Sequence, residues 1–124
     1  MPLHCLIVDD SSILLKTARA LLEREGISVV GVASNSAEAL RLVRELRPDV
    51  TLIDIELGEE SGLDLADRLA LLDGHLQTVS ILISTHPEED FAELIAASPA
   101  AGFLHKTDLS AKAIHALVEA ARAR

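Results

Sequence analysis

Four short apolar runs in this chain each end on a residue that could do chemistry. Leu6-Ile7-Val8 runs into Asp9-Asp10, and Val50-Thr51-Leu52-Ile53 into Asp54. Val79 through Ile83 runs into Ser84-Thr85, and Phe103-Leu104-His105 into Lys106. Taken singly, each has an ordinary explanation. Acidic residues ahead of a helix satisfy its free N–H groups and favour its dipole. An aspartate closing a strand is often a turn residue, a lysine in a loop is usually solvated, and a strand-end serine bonds nearby backbone. Taken together, they fit phosphoryl transfer. Carboxylates gathered at one edge repel each other strongly at effective dielectrics below that of water. A hard divalent cation such as Mg²⁺ or Mn²⁺ relieves this, with one or two protein carboxylates, waters and substrate oxygens around it. A carboxylate can attack phosphorus to give an aspartyl phosphate. The transferred group then needs a metal, a cationic side chain and a hydroxyl or N–H donor about its oxygens.

The elements that must hold these residues follow from the hydrophobic pattern. Strands are predicted at 3–8, 27–33, 50–55, 79–83 and 101–105. Helices are predicted at 12–25, with Leu14, Ala18, Leu21 and Leu22 inward, and at 36–46, with Ala39, Leu40 and Val43 inward. Others run from Gly62 to just before Gly74, from Pro87 to about Ala97, and from Ser110 to Arg124. This alternation predicts an α/β, three-layer, doubly wound (βα)5 flavodoxin-like fold: a five-stranded parallel sheet in order 2-1-3-4-5, covered on both faces. Ligands of such sheets bind beyond the carboxyl ends of the strands, where the polar groups fall.

Composition narrows the function further. A chain of 124 residues is the size of one domain, read here as 1–124 with no linker or repeat. Only two Phe and no Trp or Tyr are present, so the core must be aliphatic. Against 11 Lys and Arg stand 20 Asp and Glu, a formal charge of −9. Nucleic-acid affinity rests on clustered basic residues, so direct nucleic-acid binding by this domain is not expected. The lone Cys5 excludes an internal disulfide and fits a reducing cytoplasm. No apolar run approaches the ~20 residues of a membrane span, and the N-terminus leads straight into a strand.

The whole set of segments resembles the receiver domains of bacterial two-component response regulators. The resemblance is carried by Leu6-Ile7-Val8-Asp9-Asp10, Leu52-Ile53-Asp54-Ile55-Glu56-Leu57 with Gly62 following, Ile83-Ser84-Thr85, and Gly102-Phe103-Leu104-His105-Lys106. It implies that Asp54 is the phosphoacceptor and that Asp10 binds Mg²⁺ or Mn²⁺ directly, Asp9 mainly through water. The backbone carbonyl of Glu56 would complete the protein ligands. Ser84 is implied as the hydroxyl that moves to the phosphoryl oxygens, Lys106 as the lysine that contacts them, and Phe103 as an aromatic switch. Glu56 and His86 match positions that flank the attacking water. The implied partner is a sensor histidine kinase, expected to dock near Ile13 and Leu15, and the implied activity is self-phosphorylation and dephosphorylation, not enzymology on other substrates.

Two positions depart from the common pattern. Gly58, followed by Glu59-Glu60, stands where many receivers have proline, which predicts a mobile loop with extra acid near the metal. Thr107-Asp108 follows the lysine where many have proline, an ending similar to receivers joined to helix-turn-helix output domains. The chain therefore reads either as a receiver acting on a partner protein or as the N-terminal part of a DNA-binding transcriptional regulator. Ala111, Ala113, Ala116 and Ala120 in the last helix are compatible with homodimerisation on phosphorylation. A phosphorylation-independent module would be expected to lack an acid or the lysine. A phosphatase would want aspartate where Glu56 stands, and a dinucleotide site would want a glycine-rich turn after the first strand.

Overall fold

The computed structural model describes residues 2–123. The chain runs β1 (His4–Val8), α1 (Ser12–Arg24), β2 (Ser28–Ala33), α2 (Ser36–Leu46), β3 (Val50–Asp54), β4 (Glu56–Leu57), β5 (Glu60–Ser61), α3 (Gly62–Ala70), β6 (Val79–Ser84), α4 (Ala92–Ala96), β7 (Gly102–His105) and α5 (Ala111–Arg122). The main sheet has the order β2-β1-β3-β6-β7, all pairs parallel. Since β4 and β5 form a separate antiparallel hairpin, this is the predicted 2-1-3-4-5 order of a doubly wound, flavodoxin-like fold.

The central strands are apolar at successive positions because both of their faces are covered. In β1, Cys5 through Val8 are all buried, and β3 is buried throughout. Alternate residues feed two separate cores. Cys5, Ile7, Leu52, Ile81 and Ile83 pack with α1 and α5 through Ala18, Leu22, Ile114 and Val118. Leu6, Val8, Ile53 and Leu82 pack with α2 and α3 through Ala39, Leu40, Val43, Leu65, Ala66 and Leu69.

Helices α1, α2, α3 and α5 each begin on a side-chain cap. Ser11 Oγ accepts from Leu14 N in α1, Ser61 Oγ from Asp64 N in α3, and Ser110 Oγ from Ala113 N in α5. Helix α2 carries a reciprocal pair in which Asn35 accepts from Glu38 N and Glu38 accepts from Ser34 N.

Three expectations change. The helix expected from Pro87 is a 3-10 turn at Glu88–Phe91 followed by the short α4. Neither turn has a side-chain cap, and three adjacent acids crowd its start. Ala111 is buried against the core and does not share the outer face of Ala116 and Ala120. Leu15 packs partly into the core, leaving Ile13 as the exposed apolar residue at the start of α1. Helix α5 is assigned to Arg122, and Arg124 lies outside the described residues. No helix among the described residues is long and apolar enough to cross a membrane.

Candidate functional site

Parallel register brings the strand ends to one edge. Val8 pairs with Ile53 and Asp54 with Ile83, so Asp9, Asp54 and Ser84 emerge together, while Ser84 pairs with His105 just before Lys106. One ligand atom from each of Asp9, Asp10 and Asp54 lies within 4.8 Å of the others.

The three carboxylates are not equivalent. Asp9 is fully buried: its Oδ1 accepts the Ser11 N–H at 2.8 Å, and its Oδ2 lies 2.7 Å from Lys106 Nζ. That approach is off the line of a hydrogen bond, which leaves Oδ2 a buried acceptor without a directed donor. Asp54 is nearly buried, with Oδ1 accepting from Glu56 N at 3.1 Å and Oδ2 from Lys106 Nζ at 3.3 Å. Asp10 is exposed and makes no side-chain hydrogen bond or ion pair among the described residues. A buried carboxylate oxygen that faces only the Lys106 ammonium, a free exposed carboxylate and a third acid within reach form an oxygen-rich set that suits a Mg²⁺-sized cation. The donor set fits that ion.

Electrostatics follow from this crowding. Burial, the largest influence, pushes the Asp54 carboxyl above the usual carboxylate range, and the charge of Asp9 adds to it. The Glu56 N–H and Lys106 pull the other way without cancelling the effect. Burial also works against the charge of Lys106, but Asp9 and Asp54 outweigh it and hold the ammonium above its ordinary value. Lys106 is thus a fixed cation against two carboxylates.

Ser84 is buried, and its Oγ accepts the His86 N–H at 2.9 Å. Phe103, paired with Leu82, is half-buried and packs on the α2–α3 core. It lies on the same face of the sheet as Ser84, one strand over. Glu56 and His86 meet at the rim, Oε1 to Nδ1 3.0 Å, and the His86 ring stands edge-on to Phe91 with centroids 6.1 Å apart.

Two residues escaped sequence reasoning. His105 Nε2 lies 2.7 Å from the Thr85 carbonyl, and its Nδ1 accepts the Thr107 N–H at 3.2 Å. Bonding that carbonyl makes Nε2 the protonated nitrogen. His105 thereby holds the Lys106 turn that lacks proline. Glu60, expected to add acid near the metal, instead accepts from Ser36 N at 3.0 Å. Gly58 lies in the turn of the β4–β5 hairpin. No spacing rule announces either contact, since each partner is distant in the chain.

Comparison with known proteins decides the family. The family described as "Response regulator receiver domain" matches residues 5–119. The chain belongs to this family. The receiver is 32% identical over 118 residues to the virulence-factor transcription regulator BvgA of Bordetella pertussis, covering 95% of this chain and 54% of that one. It is 38% identical over 87 residues to a protein-glutamate methylesterase/protein-glutamine glutaminase of Burkholderia thailandensis, covering 69% of this chain and 23% of that one. Among solved structures, a two-component response regulator of the LuxR family from Aurantimonas sp. SI85-9A1 superposes with a TM-score of 0.85 at 27% identity, covering 97% of this chain and 87% of that one. The receiver spans about half the length of the first of these relatives.

Proposed function

We propose that this receiver accepts one phosphoryl group on Asp54 from a sensor histidine kinase or a small donor, in a reaction dependent on Mg²⁺ or Mn²⁺. The observation that carries the reading is the Lys106 ammonium, 2.7 Å from Asp9 and 3.3 Å from Asp54, beside a third acid at the same edge. A structural ion pair would need one acid. Asp9, Asp10, Asp54 and the backbone carbonyl of Glu56 would hold the cation, which when bound neutralises charge on the phosphoryl oxygens.

The chain's own residues do the rest. An Asp54 carboxylate oxygen bonds to phosphorus as the bond from phosphorus to the donor breaks, and the donor group leaves with that electron pair. Lys106, already held between carboxylates, balances the added negative charge. Ser84 gives up the His86 N–H and turns to a phosphoryl oxygen, and Phe103 follows into the space beneath. Glu56 and His86 at the rim govern access of water and hence the lifetime of the acyl phosphate. Ile13, exposed beside the site, is the apolar contact offered to the kinase. The output is a change in the partner or output-domain contacts of the α4–β7–α5 face, with homodimerisation as one form. The reaction is the domain's own phosphorylation and dephosphorylation, in the cytoplasm, without direct nucleic-acid contact.

Incubation with acetyl phosphate and Mg²⁺, followed by intact mass measurement, tests this reading. One adduct is expected, lost in Asp54→Asn and absent when the metal is chelated. Undiminished labelling of that variant would refute the assignment.

A further inference from the structure

The hairpin between Asp54 and α3 bonds to one of the three site carboxylates and lies beside a second. The Glu56 N–H donates to Asp54 Oδ1 at 3.1 Å. At the tip, Gly58 has φ +59, and a Cβ there would stand 3.4 Å from Asp10 Oδ2. The hairpin has only two rungs, Glu56 with Ser61 and Leu57 with Glu60. Two-stranded hairpins are marginal by themselves, so this one needs outside support. Leu57 supplies part by burying its side chain in the α2–α3 core. The other tie is Glu60, whose Oε1 accepts the Ser36 N–H at 3.0 Å, across 24 residues of chain. Ser36 is the first residue of α2; Asn35 accepts the Glu38 N–H, and Glu38 accepts from Ser34 N just ahead of the helix. A carboxylate at a helix N-terminus meets both a free donor and the favourable end of the dipole.

We propose that Glu60 is a positioning residue for the metal-binding edge: by fastening the hairpin to α2 it keeps the Gly58 tip against Asp10 and the Glu56 N–H on Asp54. The inference rests on the reading of Asp9, Asp10 and Asp54 as a cation site. Glu60 touches none of these carboxylates. It acts through the backbone that walls them.

The test separates the bond from the charge. Glu60→Ala removes both, and Glu60→Gln removes the charge and keeps an oxygen that accepts from Ser36 N. Ser36→Pro removes the donor at a position where helices favour proline. Mg²⁺ affinity of the unphosphorylated chain is measured by calorimetric titration, and exchange of the Ser36 amide by NMR without metal. Glu60→Ala should weaken Mg²⁺ binding about tenfold, the scale of lost support around metal ligands, and speed Ser36 exchange. Ser36→Pro should weaken Mg²⁺ binding similarly, and the double variant no further. Glu60→Gln should stay within about twofold of the parent. Equal losses in Gln and Ala variants would make this a charge effect and overturn the proposal. A Glu60→Ala variant of lower melting temperature with unchanged Mg²⁺ affinity would overturn it too. If the parent chain binds no Mg²⁺, the reading of the site itself fails. If the parent binds and Glu60→Ala binds equally well, only the positioning role fails.

Discussion

Replacing Gly62 by alanine puts a single methyl group where the fold has no room. Gly62 opens α3 and donates its N–H to the Ile55 carbonyl at 2.8 Å. A Cβ built there would lie 2.0 Å from the Asp54 carbonyl oxygen, 2.8 Å from its carbon and 2.9 Å from Ile53 Cγ2. Real Cβ atoms do not come within 3.0 Å of such atoms, so something must retreat by about 1 Å. The obstruction is mainly backbone of β3, paired with β1 on one side and β6 on the other, and no rotamer relieves it. Overpacking of this kind costs about 1–3 kcal/mol, and alanine's better helix propensity offsets a few tenths of that at a helix end. A loss of about 2 kcal/mol, or a fall of about 8 °C in Tm, is the expected size. The displaced atoms belong to Asp54, the proposed phosphoacceptor, and an error of ~1 Å in a reacting group can cost about 100-fold in rate. With no Trp or Tyr in the chain, far-UV circular dichroism in urea follows unfolding, and intact mass follows labelling by acetyl phosphate. Gly74→Ala is the control, since a Cβ there meets nothing within 4 Å. A Gly62→Ala protein as stable as the parent and labelled at the parent's rate would refute the steric argument.

Other perturbations have definite signs. Mg²⁺ at a hundredfold its Kd should raise unfolding free energy by about 2.7 kcal/mol, because only the folded state gathers the three carboxylates; a melting temperature indifferent to millimolar Mg²⁺ would count against the site. Asp54→Asn should stabilise the metal-free protein. The folded-state pKa of Asp54 is raised, so its ionisation costs stability progressively as pH climbs from the ordinary carboxylate value through the raised one. The gain over the parent should therefore be small in acid and full above that window, and a gain independent of pH would disprove the linkage. Lys106→Ala leaves Asp9 charged and buried without its cation and should cost about 3 kcal/mol, an effect that urea titration without metal would expose. Burial pushes the Cys5 thiol up to about 12, so a thiol reagent at neutral pH should label native protein only at the rate of unfolding. Rapid labelling under native conditions would show Cys5 to be accessible.

The main-chain plan was readable because its signals are local. Apolar runs such as Cys5 to Val8 and caps such as Ser110 specify their own elements, and parallel pairing then gathers Asp9, Asp54, Ser84 and Lys106 without further instruction. What could not be read depends on contacts between distant segments. Glu60 looked like extra acid for a metal and is used to cap α2, because a two-residue turn at Gly58 aims it away. His105 looked like the last residue of an ordinary strand and proves to clasp the Thr85 carbonyl. Ala111 belongs to an alanine-rich stretch that suggests an open face, yet it packs into the core.

The Ser84 hydroxyl already has a partner at rest, the His86 N–H at 2.9 Å. In the proposed switch, turning toward a phosphoryl oxygen exchanges that bond for another, whereas in the unmodified protein the same turn gives up one bond, a net cost of about 0.5–1.5 kcal/mol. Serine also lacks the second branch that stiffens χ1 in threonine and the other β-branched residues, so nothing bulky has to sweep past the neighbouring strand. A gap of a few kcal/mol leaves a minor form populated at roughly 0.1–10%. If Ser84 is the switch proposed above, the cost of that one lost bond sets how many unmodified molecules hold the turned arrangement, and with it the background of the signal. Exchange broadening of the Ser84 and His86 amides in the unphosphorylated protein, abolished in Ser84→Ala, is the expected trace of that background.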